Sequence, residues 1–327
     1  MNYSVAVVII NWNGEKLLKR FLPSVINFSK EAKIYIIDNF STDNSIQFLK
    51  ENYSKIKIIN LNKNYGYAEG YNLGLKQVRE KIHILLNNDV EVTKDWIKPI
   101  IKNFKDNNIH IAQPLILDLK NPDFFDYSGA AGGFIDKYGY PYCRGRIYKK
   151  IEKNLNQYND TSKIFWASGA CFVVRKNIFN KLNGFDKSFF MHQEEIDFCW
   201  RAFNQGYNVY CIGESYIYHN GASTLNNNHI KDYYNFRNSL ITLIKNLPEN
   251  FLFSVIIRRF FLDCLIFIFF ILKGKFLTSI MIIKSYFYII SNFKKIFIQR
   301  NKINNQKKYY KSRSIIYKYF KIRTDKF

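Results

Sequence analysis

The sequence predicts an α/β fold built on a mainly parallel sheet, followed by a helical, basic C-terminal segment. Three observations carry that expectation. Strand-length apolar runs alternate with helix-periodic stretches through the first half, polar residues gather at the ends of those runs, and positive charge concentrates near the C-terminus. The 327 residues are 47% apolar and 23% charged, which supports a buried core and excludes a disordered chain. That length suits one large domain or two small ones. Six Pro, fifteen Gly and no visible repeat exclude collagen-like, Pro-rich and solenoid architectures.

In order, the strand-like runs are Ser4 to Asn11, Lys33 to Asp38, Lys55 to Leu61 and Ile82 to Asn87. Each is rich in Ile, Val and Leu, as strands covered on both faces require. Between them Leu17, Leu18, Phe21, Leu22 and Val25 share a helical face, then Ile46, Leu49 and Tyr53, then residues from Tyr71 to Val78. This alternation implies right-handed crossovers and a parallel sheet, whose ligands collect at the carboxyl ends of the strands. Asn11, Asp38 and Asn87 to Asp89 fall there. From Asp118 to Ser162 the periodicity fades around a Gly-rich patch, Ser128 to Gly133, so loops or short antiparallel strands should cover one end of the sheet. A strand is expected over Ile164 to Arg175 and a short helix over Asn177 to Leu182. A second helix from Glu194 to about Asn204 carries Ile196, Cys199, Trp200 and Phe203 at helical spacing, with Gly206 as its C-cap. Strands over Asn208 to Ile212 and Ser215 to His219 precede a helix from Ile230 to Lys245.

After Pro248 the texture changes. Phe251 to Leu272 and Phe276 to Phe293 are apolar and aromatic, but Arg258, Arg259, Asp263 and Lys284 interrupt them. The longest unbroken apolar run, Cys264 to Leu272, is far shorter than the roughly 20 residues that span a bilayer. The formal net charge is +23, and from Glu249 onward 17 Lys and Arg stand against three Asp and Glu. Apolar faces broken by basic residues and followed by a basic tail describe interfacial helices on an anionic membrane surface. A helical pair packed on the preceding domain is the alternative. A nucleic-acid-binding tail leaves the Phe and Ile unexplained, so no nucleic-acid partner is expected. Five widely spaced cysteines form no C-x-x-C pair, which suggests neither disulfides nor zinc and a reducing compartment. The N-terminus reads as a first strand rather than a signal peptide.

The block Asn60 to Gly74 (NLNKNYGYAEGYNLG) places Asn64, Gly66, Gly70 and Asn72 in a loop opening a helix, a setting that admits phosphate or serves as an Asn and Gly turn. Its spacing matches neither a dinucleotide fingerprint nor a P-loop. Asp38 can accept hydrogen bonds from a base or ribose, while Ser41, Thr42 or Asp43 caps the next helix. In Leu85 to Val92 (LLNNDVEV), Asn87, Asn88, Asp89 and Glu91 offer oxygens that suit a hard divalent cation, or simply a polar strand end. In Gly184 to Trp200 (GFDKSFFMHQEEIDFCW), Glu194, Glu195 and Asp197 open a helix behind an aromatic loop. Acidic residues favour any helix N-terminus. Two adjacent carboxylates behind Phe189, Phe190 and Met191 would also repel and be desolvated, which raises the pKa of one toward general-base range. His219, ending a strand, is either a structural histidine or a ligand.

Read together, VVIINWNG, IIDNFSTDNS, NYGYAEGYNLGL, LLNNDVEV, SGAAGGFID, WASGACFVVRK, GFDKSFFMHQEEIDFCWRAFNQGY, YHNGAS and YYNFRN resemble the inverting nucleotide-sugar transferases of glycosyltransferase family two, most closely its rhamnosyltransferase-like branch. The resemblance covers about Val5 to Leu247 and implies a GT-A fold, a Rossmann-like sheet with an antiparallel extension. Residues 1–247 would form the transferase domain and 248–327 the membrane-associating segment, placing the protein peripherally on the cytoplasmic face of the cell membrane. It further implies Mg²⁺ or Mn²⁺ holding a UDP- or dTDP-linked sugar, and a glycan or lipid-linked acceptor.

By position, Asp38 matches the acid that contacts the nucleobase, with Asn11 and Asn39 in the same site and Asn64, Gly66 and Asn72 on the donor side. Asn87, Asn88 and Asp89 stand at the D-x-D position, with Asp89 the metal ligand and His219 matching a later metal-binding histidine. Glu195 stands where the family usually has a catalytic Asp, with Glu194 as the alternative base and Asp197 as a helix-start or supporting carboxylate. Trp166, Ser168 and Gly169 resemble the acceptor-side strand. Arg237 with Asn238 resembles a motif near the diphosphate, where Arg237 either stabilises the leaving group or forms a structural salt bridge. Asn87 and Glu195 depart from the family pattern, which keeps a second class open: an inactive, membrane-tethered scaffold that binds sugar nucleotides. A nucleotidyltransferase shares the Rossmann half but leaves the QEEIDFCW helix without a role.

Overall fold

The computed structural model describes residues 4–221, 228–300 and 308–318. The end of the YHNGAS block and most of the basic tail after Arg300 lie outside these residues. β1 (Val5–Asn11), α1 (Glu15–Phe28), β2 (Ala32–Asp38), α2 (Ser45–Asn52), β3 (Lys57–Asn60), α3 (Gly66–Leu75) and β4 (Ile82–Leu86) alternate as expected. β3, β2, β1 and β4 are parallel neighbours in that order. Period-two alternation sends Val5, Val7 and Ile9 to one face, against Leu18, Leu22 and Val25 of α1, and Ala6 and Val8 to the other, which packs with Tyr71 and Phe172. Both faces are therefore dry, and the strand ends are where polar groups can be tolerated. The register pairs Asn11 with Asp38 and Asp38 with Asn60, which brings those ends level.

The chain continues through β5 (Val90–Val92), α4 (Ile97–Asn103) and β6 (Ile111–Asp118), then a small antiparallel sheet of β7 (Gly133–Ile135), β8 (Pro141–Cys143), β9 (Arg146–Ile147) and β10 (Lys150–Ile151). β11 (Thr161–Ile164), β12 (Cys171–Arg175), α5 (Lys176–Lys181), α6 (Glu194–Asn204) and β13 (Val209–His219) follow. β12 inserts antiparallel between β4 and β6, and β13 runs parallel to β6. Three expectations need correction. The strand over Ile164 to Arg175 is broken, because Trp166 leaves the main sheet to bridge Gly133 and its indole N–H donates to the Phe134 carbonyl at 2.9 Å. The two strands before His219 are one strand with a bulge between Ile212 and Tyr216. The helix expected from Tyr71 begins at Gly66, so Gly70 and Asn72 lie within α3 rather than in a loop.

α7 (Asn228–Asn246), α8 (Glu249–Leu272) and α9 (Phe276–Ile298) form a helical layer beyond the sheet. α8 buries Leu252, Val255, Arg259 and Asp263 against the domain. Two of the three charges that interrupt its apolar run thus face inward, where Arg259 Nε donates to both Asp263 oxygens at 3.0 and 3.1 Å and the Tyr140 and Tyr286 hydroxyls donate to the same carboxylate. α9 lies along α7: Thr278 Oγ1 donates to Asp232 at 2.7 Å, Ser285 Oγ to the Tyr233 carbonyl at 3.2 Å, and Arg300 to the Ile244 and Leu247 carbonyls. After α9 the chain returns to the domain, where Tyr309 packs on Trp200 and the Ile315 N–H reaches Asp136.

The outer faces of α8 and α9 remain open. Phe253, Leu265, Leu272, Phe287 and Ile290 are 79, 64, 80, 70 and 73% exposed, with Arg258 and Lys284 among them. By length and composition alone α9 could cross a membrane. Removing one partner of a buried ion pair strands the other, at a cost of about 3–5 kcal/mol. Asp263→Ala should lower the unfolding free energy by that order in denaturant titrations, whereas Arg258→Ala, on the open face, should shift it by less than about 0.5 kcal/mol.

Candidate active site

The carboxyl ends of β1, β2 and β4 carry a connected polar cluster. Asp38, buried, accepts from the Ser41 N–H at 3.0 Å and from Asn11 Nδ2 at 3.5 Å, and Asn11 Oδ1 accepts from Asn88 Nδ2 at 3.1 Å. Asn39 accepts from the Tyr65 N–H and donates to Asn64 Oδ1 and the Gly66 carbonyl, all at 3.0 Å, while Asn64 accepts from the Gly66 N–H at 2.8 Å. These bonds pin the loop that opens α3 onto the end of β2. Gly66 has φ +73° and a Cβ there would lie 2.6 Å from Phe190, so close approach of that ring explains the glycine without a phosphate. Both ends of the Asn72 amide are taken by the Phe185 backbone, at 2.8 and 2.9 Å. That is a correction: Asn72 brackets α3 to the following loop and has little left to offer a donor. Asn87 is half-buried at the strand end, its N–H bonded to the Ala170 carbonyl.

Asp89 and His219 meet, although they come from different strand ends. His219 Nε2 lies 3.3 Å from Asp89 Oδ1 and Nδ1 lies 3.1 Å from Asp126 Oδ1, with all three residues buried. Burial opposes a charge on the imidazole, but the two carboxylates outweigh it and push its pKa up to about 10. The donor set fits a hard divalent cation. A carboxylate oxygen and an imidazole nitrogen face each other, and a second carboxylate holds the far ring nitrogen, as outer partners of ligand histidines do. Among the described residues no group of three or more His, Cys, Asp or Glu side chains is arranged to hold a metal, so a cation here would need oxygens from a bound diphosphate. Asp126 was invisible to sequence reading, since it is the antiparallel bridge of Phe125 to Leu117, next to the β6–β13 pairing, that brings it to His219.

At the start of α6, Glu194 is buried and Glu195 half-buried, and one oxygen of each has no hydrogen-bond partner among the described residues. Burial raises both pKa values; Glu195 is pushed up to about 7, and Glu194 is raised by its burial and by the Glu195 charge it faces. Tyr67, whose hydroxyl donates to the Gly169 carbonyl at 2.8 Å, is electrostatically coupled to both. This links the carboxylates to the Trp166 to Gly169 segment. Asp197, one turn on, is the opposite case. Although it is fully buried, Lys245 at 3.0 Å, Arg201 at 2.8 Å and Asn246 at 2.8 Å surround it and hold its pKa down at about 2. It ties α6 to α7 and is no candidate base. Arg237 has no carboxylate partner among the described residues, so the salt-bridge alternative read from sequence is not found among them. Its guanidinium donates instead to the Ser188 and Phe189 carbonyls at 2.8 and 3.1 Å.

The family profile described as "Glycosyl transferase family 2" matches residues 6–182, more than half of the chain. The chain belongs to that family. It is 25% identical over 210 residues to the low-salt glycan biosynthesis hexosyltransferase Agl10 of Haloferax volcanii, covering 63% of each chain, and so spans less than two thirds of that relative. It is 24% identical over 239 residues to the N-acetylglucosaminyl-diphospho-decaprenol L-rhamnosyltransferase of Mycobacterium tuberculosis, covering 67% of this chain and 76% of that one. Among solved structures it resembles GalNAc-T7 crystallised with UDP, GalNAc and Mn²⁺, with a TM-score of 0.59 at 18% identity over 74% of this chain and 48% of the other. At that identity the likeness is one of fold, and the fold is GT-A.

The raised carboxyl pKa of this family member has a consequence for stability. A folded-state pKa above the unfolded value favours the folded state below the unfolded pKa, and that advantage is lost as pH rises through the folded pKa. Glu195→Gln should therefore be more stable than wild type at pH 8 by roughly 2 kcal/mol, with the difference vanishing at pH 4. Chemical denaturation at the two pH values measures it.

Proposed function

We propose that the protein is an inverting glycosyltransferase that moves a sugar from a UDP- or dTDP-linked donor to a hydroxyl of a glycan acceptor, carried on a lipid, in cell-surface polysaccharide or glycolipid synthesis. The observation that carries this reading is the unpartnered Glu194 and Glu195 pair of raised pKa. Family membership supports it, as do the lipid-linked acceptor named for the Mycobacterium relative and the UDP and Mn²⁺ named for the structural neighbour.

Glu195 reaches the surface more than Glu194 does and takes the proton from the acceptor hydroxyl. The acceptor oxygen forms its bond to the anomeric carbon from the face opposite the nucleotide. The bond from that carbon to the diphosphate oxygen breaks, and the configuration inverts. Burial is what raises the proton affinity of Glu195, and Glu194, desolvated and facing the Glu195 charge, stands beside it as the alternative base. Asp38, Asn11 and Asn39 hold the nucleoside, with Asn64, Gly66, Asn87 and Asn88 shaping the donor pocket. Asp89 and His219 would hold Mg²⁺ or Mn²⁺, which when bound neutralises charge on the departing nucleoside diphosphate. Incubation with a panel of sugar nucleotides and Mn²⁺ should release nucleoside diphosphate. General bases contribute ~10²–10⁴-fold, so Glu195→Gln should lose at least tenfold in transfer. A smaller loss, or full activity in excess EDTA, would overturn the assignment.

Residues 1–247 serve as the catalytic part in this reading. Residues 248–327 dock it on the cytoplasmic face of an anionic membrane through the outer face of α8 and α9. Spanning would require α9 to leave α7 and break the Thr278 and Ser285 bonds, whereas lying in the interface keeps them and immerses Phe253, Leu265 and Phe287. The buried face of α8 makes truncation a poor test, because it would open the core. Substituting Phe253, Leu265 and Phe287 together by Glu should abolish flotation with anionic vesicles while leaving the melting temperature close to wild type. Equal flotation of both proteins rejects the docking surface.

A further inference from the structure

We infer that Arg237 and Asn238 are positioning residues that clamp the Ser188 to Gln193 loop and thereby aim Glu194 and Glu195, with α9 completing the clamp through Tyr288. The inference rests on the transferase reading above.

The loop follows an uncommon backbone path. Phe190, His192 and Gln193 have φ of 60, 64 and 71°, a left-handed conformation that side-chain-bearing residues keep only when their surroundings impose it. The constraint comes mainly from α7. Asn238 is fully buried, and its Nδ2 lies 3.1, 2.8 and 2.7 Å from the carbonyls of Phe189, Met191 and His192. Arg237 Nε donates to Asn238 Oδ1 at 2.8 Å, which leaves Nδ2 as the end that must face the loop. Arg237 itself takes the Ser188 and Phe189 carbonyls. From the other side, the Tyr67 N–H at the start of α3 donates to the Phe190 carbonyl at 2.7 Å, and the Phe190 ring stacks on Tyr234. The loop ends at Gln193, whose carbonyl accepts the Asp197 N–H in the first turn of α6. Its path therefore sets the direction in which the two carboxylates leave.

The body of α6 is anchored separately, by Asp197 on Lys245 and Asn246 of α7 and by Arg201 on the Leu182 and Gly184 carbonyls. Releasing the clamp should therefore misplace the carboxylates without unfolding the helix. The Arg237 guanidinium lies 5.4, 4.7 and 4.9 Å from the rings of Tyr233, Tyr234 and Tyr288. Tyr288 belongs to α9, outside the stretch matched by the family profile. The helix that offers its outer face to a membrane thus supplies one wall of the cage that orients the base loop.

The test compares wild type with Asn238→Ala, Tyr288→Leu and Tyr288→Phe by steady-state transfer kinetics and by hydrogen exchange of peptides covering 186–197 and 198–206. A misplacement of the order of 1 Å costs roughly 10²-fold, so Asn238→Ala should lose about that in kcat, with donor KM changed by less than about threefold. Exchange should accelerate in 186–197 and not in 198–206. Tyr288→Leu should show a smaller loss of the same pattern, and Tyr288→Phe, which keeps the ring face, should restore wild-type behaviour. Wild-type exchange in 186–197, unchanged kcat despite faster exchange there, or acceleration across all of α6 would each overturn the clamp. If wild type itself releases nucleoside diphosphate from no donor, the transferase reading fails, and the exchange pattern still decides whether Asn238 and Tyr288 hold the loop.

Discussion

Two carboxylates side by side, largely out of water and each short of a hydrogen bond, are an unfavourable arrangement, and the rest of the molecule is organised to sustain it. Glu194 and Glu195 sit at the start of α6 with raised pKa values, while Asp197, one turn further, is held near pKa 2 by Lys245, Arg201 and Asn246. The same helix and comparable burial produce opposite acids. Partner groups decide the outcome, because desolvation alone would raise all of them. The cost of the pair is offset elsewhere, by a sheet that is dry on both faces and by the Asp197 contacts to Lys245 and Asn246 that fasten α6 to α7.

The polar groups at the strand ends follow from the same economy of placement. A parallel sheet covered by helices leaves its strand ends as the places where side chains of β1, β2 and β4 can converge on a solute. Asn11, Asp38 and Asn88 form one hydrogen-bonded group there. His219 arrives by a different route. β13 bulges between Ile212 and Tyr216, pairs with β6 up to Asp118, and so sets the imidazole between Asp89 and Asp126.

The strands of the first half were legible because a strand buried on both faces leaves an unmistakable run of Ile, Val and Leu. Asp38, Asp89 and His219 stood out because polar residues close apolar strand runs, and the Glu pair because two adjacent carboxylates follow an aromatic loop. The start of α3 was hidden by its glycines, which read as loop on helix propensity. Gly74 is there because a Cβ would lie 2.2 Å from Ile37, so helix and sheet approach too closely for a side chain. β6 and α4 went unread, Trp166 broke an otherwise continuous strand pattern, and Asp126 lay in a stretch without periodicity. Arg237 and Asn238 stood out in the sequence, but their acceptors are backbone carbonyls, which no side-chain pattern encodes.

The buried Arg259 and Asp263 pair also fixes how α8 is rolled about its own axis. Apolar residues surround most of that helix, so hydrophobicity alone gives it little preference for which side faces the domain. The ion pair, together with the Tyr140 and Tyr286 hydroxyls, supplies that preference. Phe253, Leu265 and Leu272 are thereby relieved of any part in specifying the fold. Their identities can drift, or be tuned to a different surface, with little consequence for the chemistry at the strand ends.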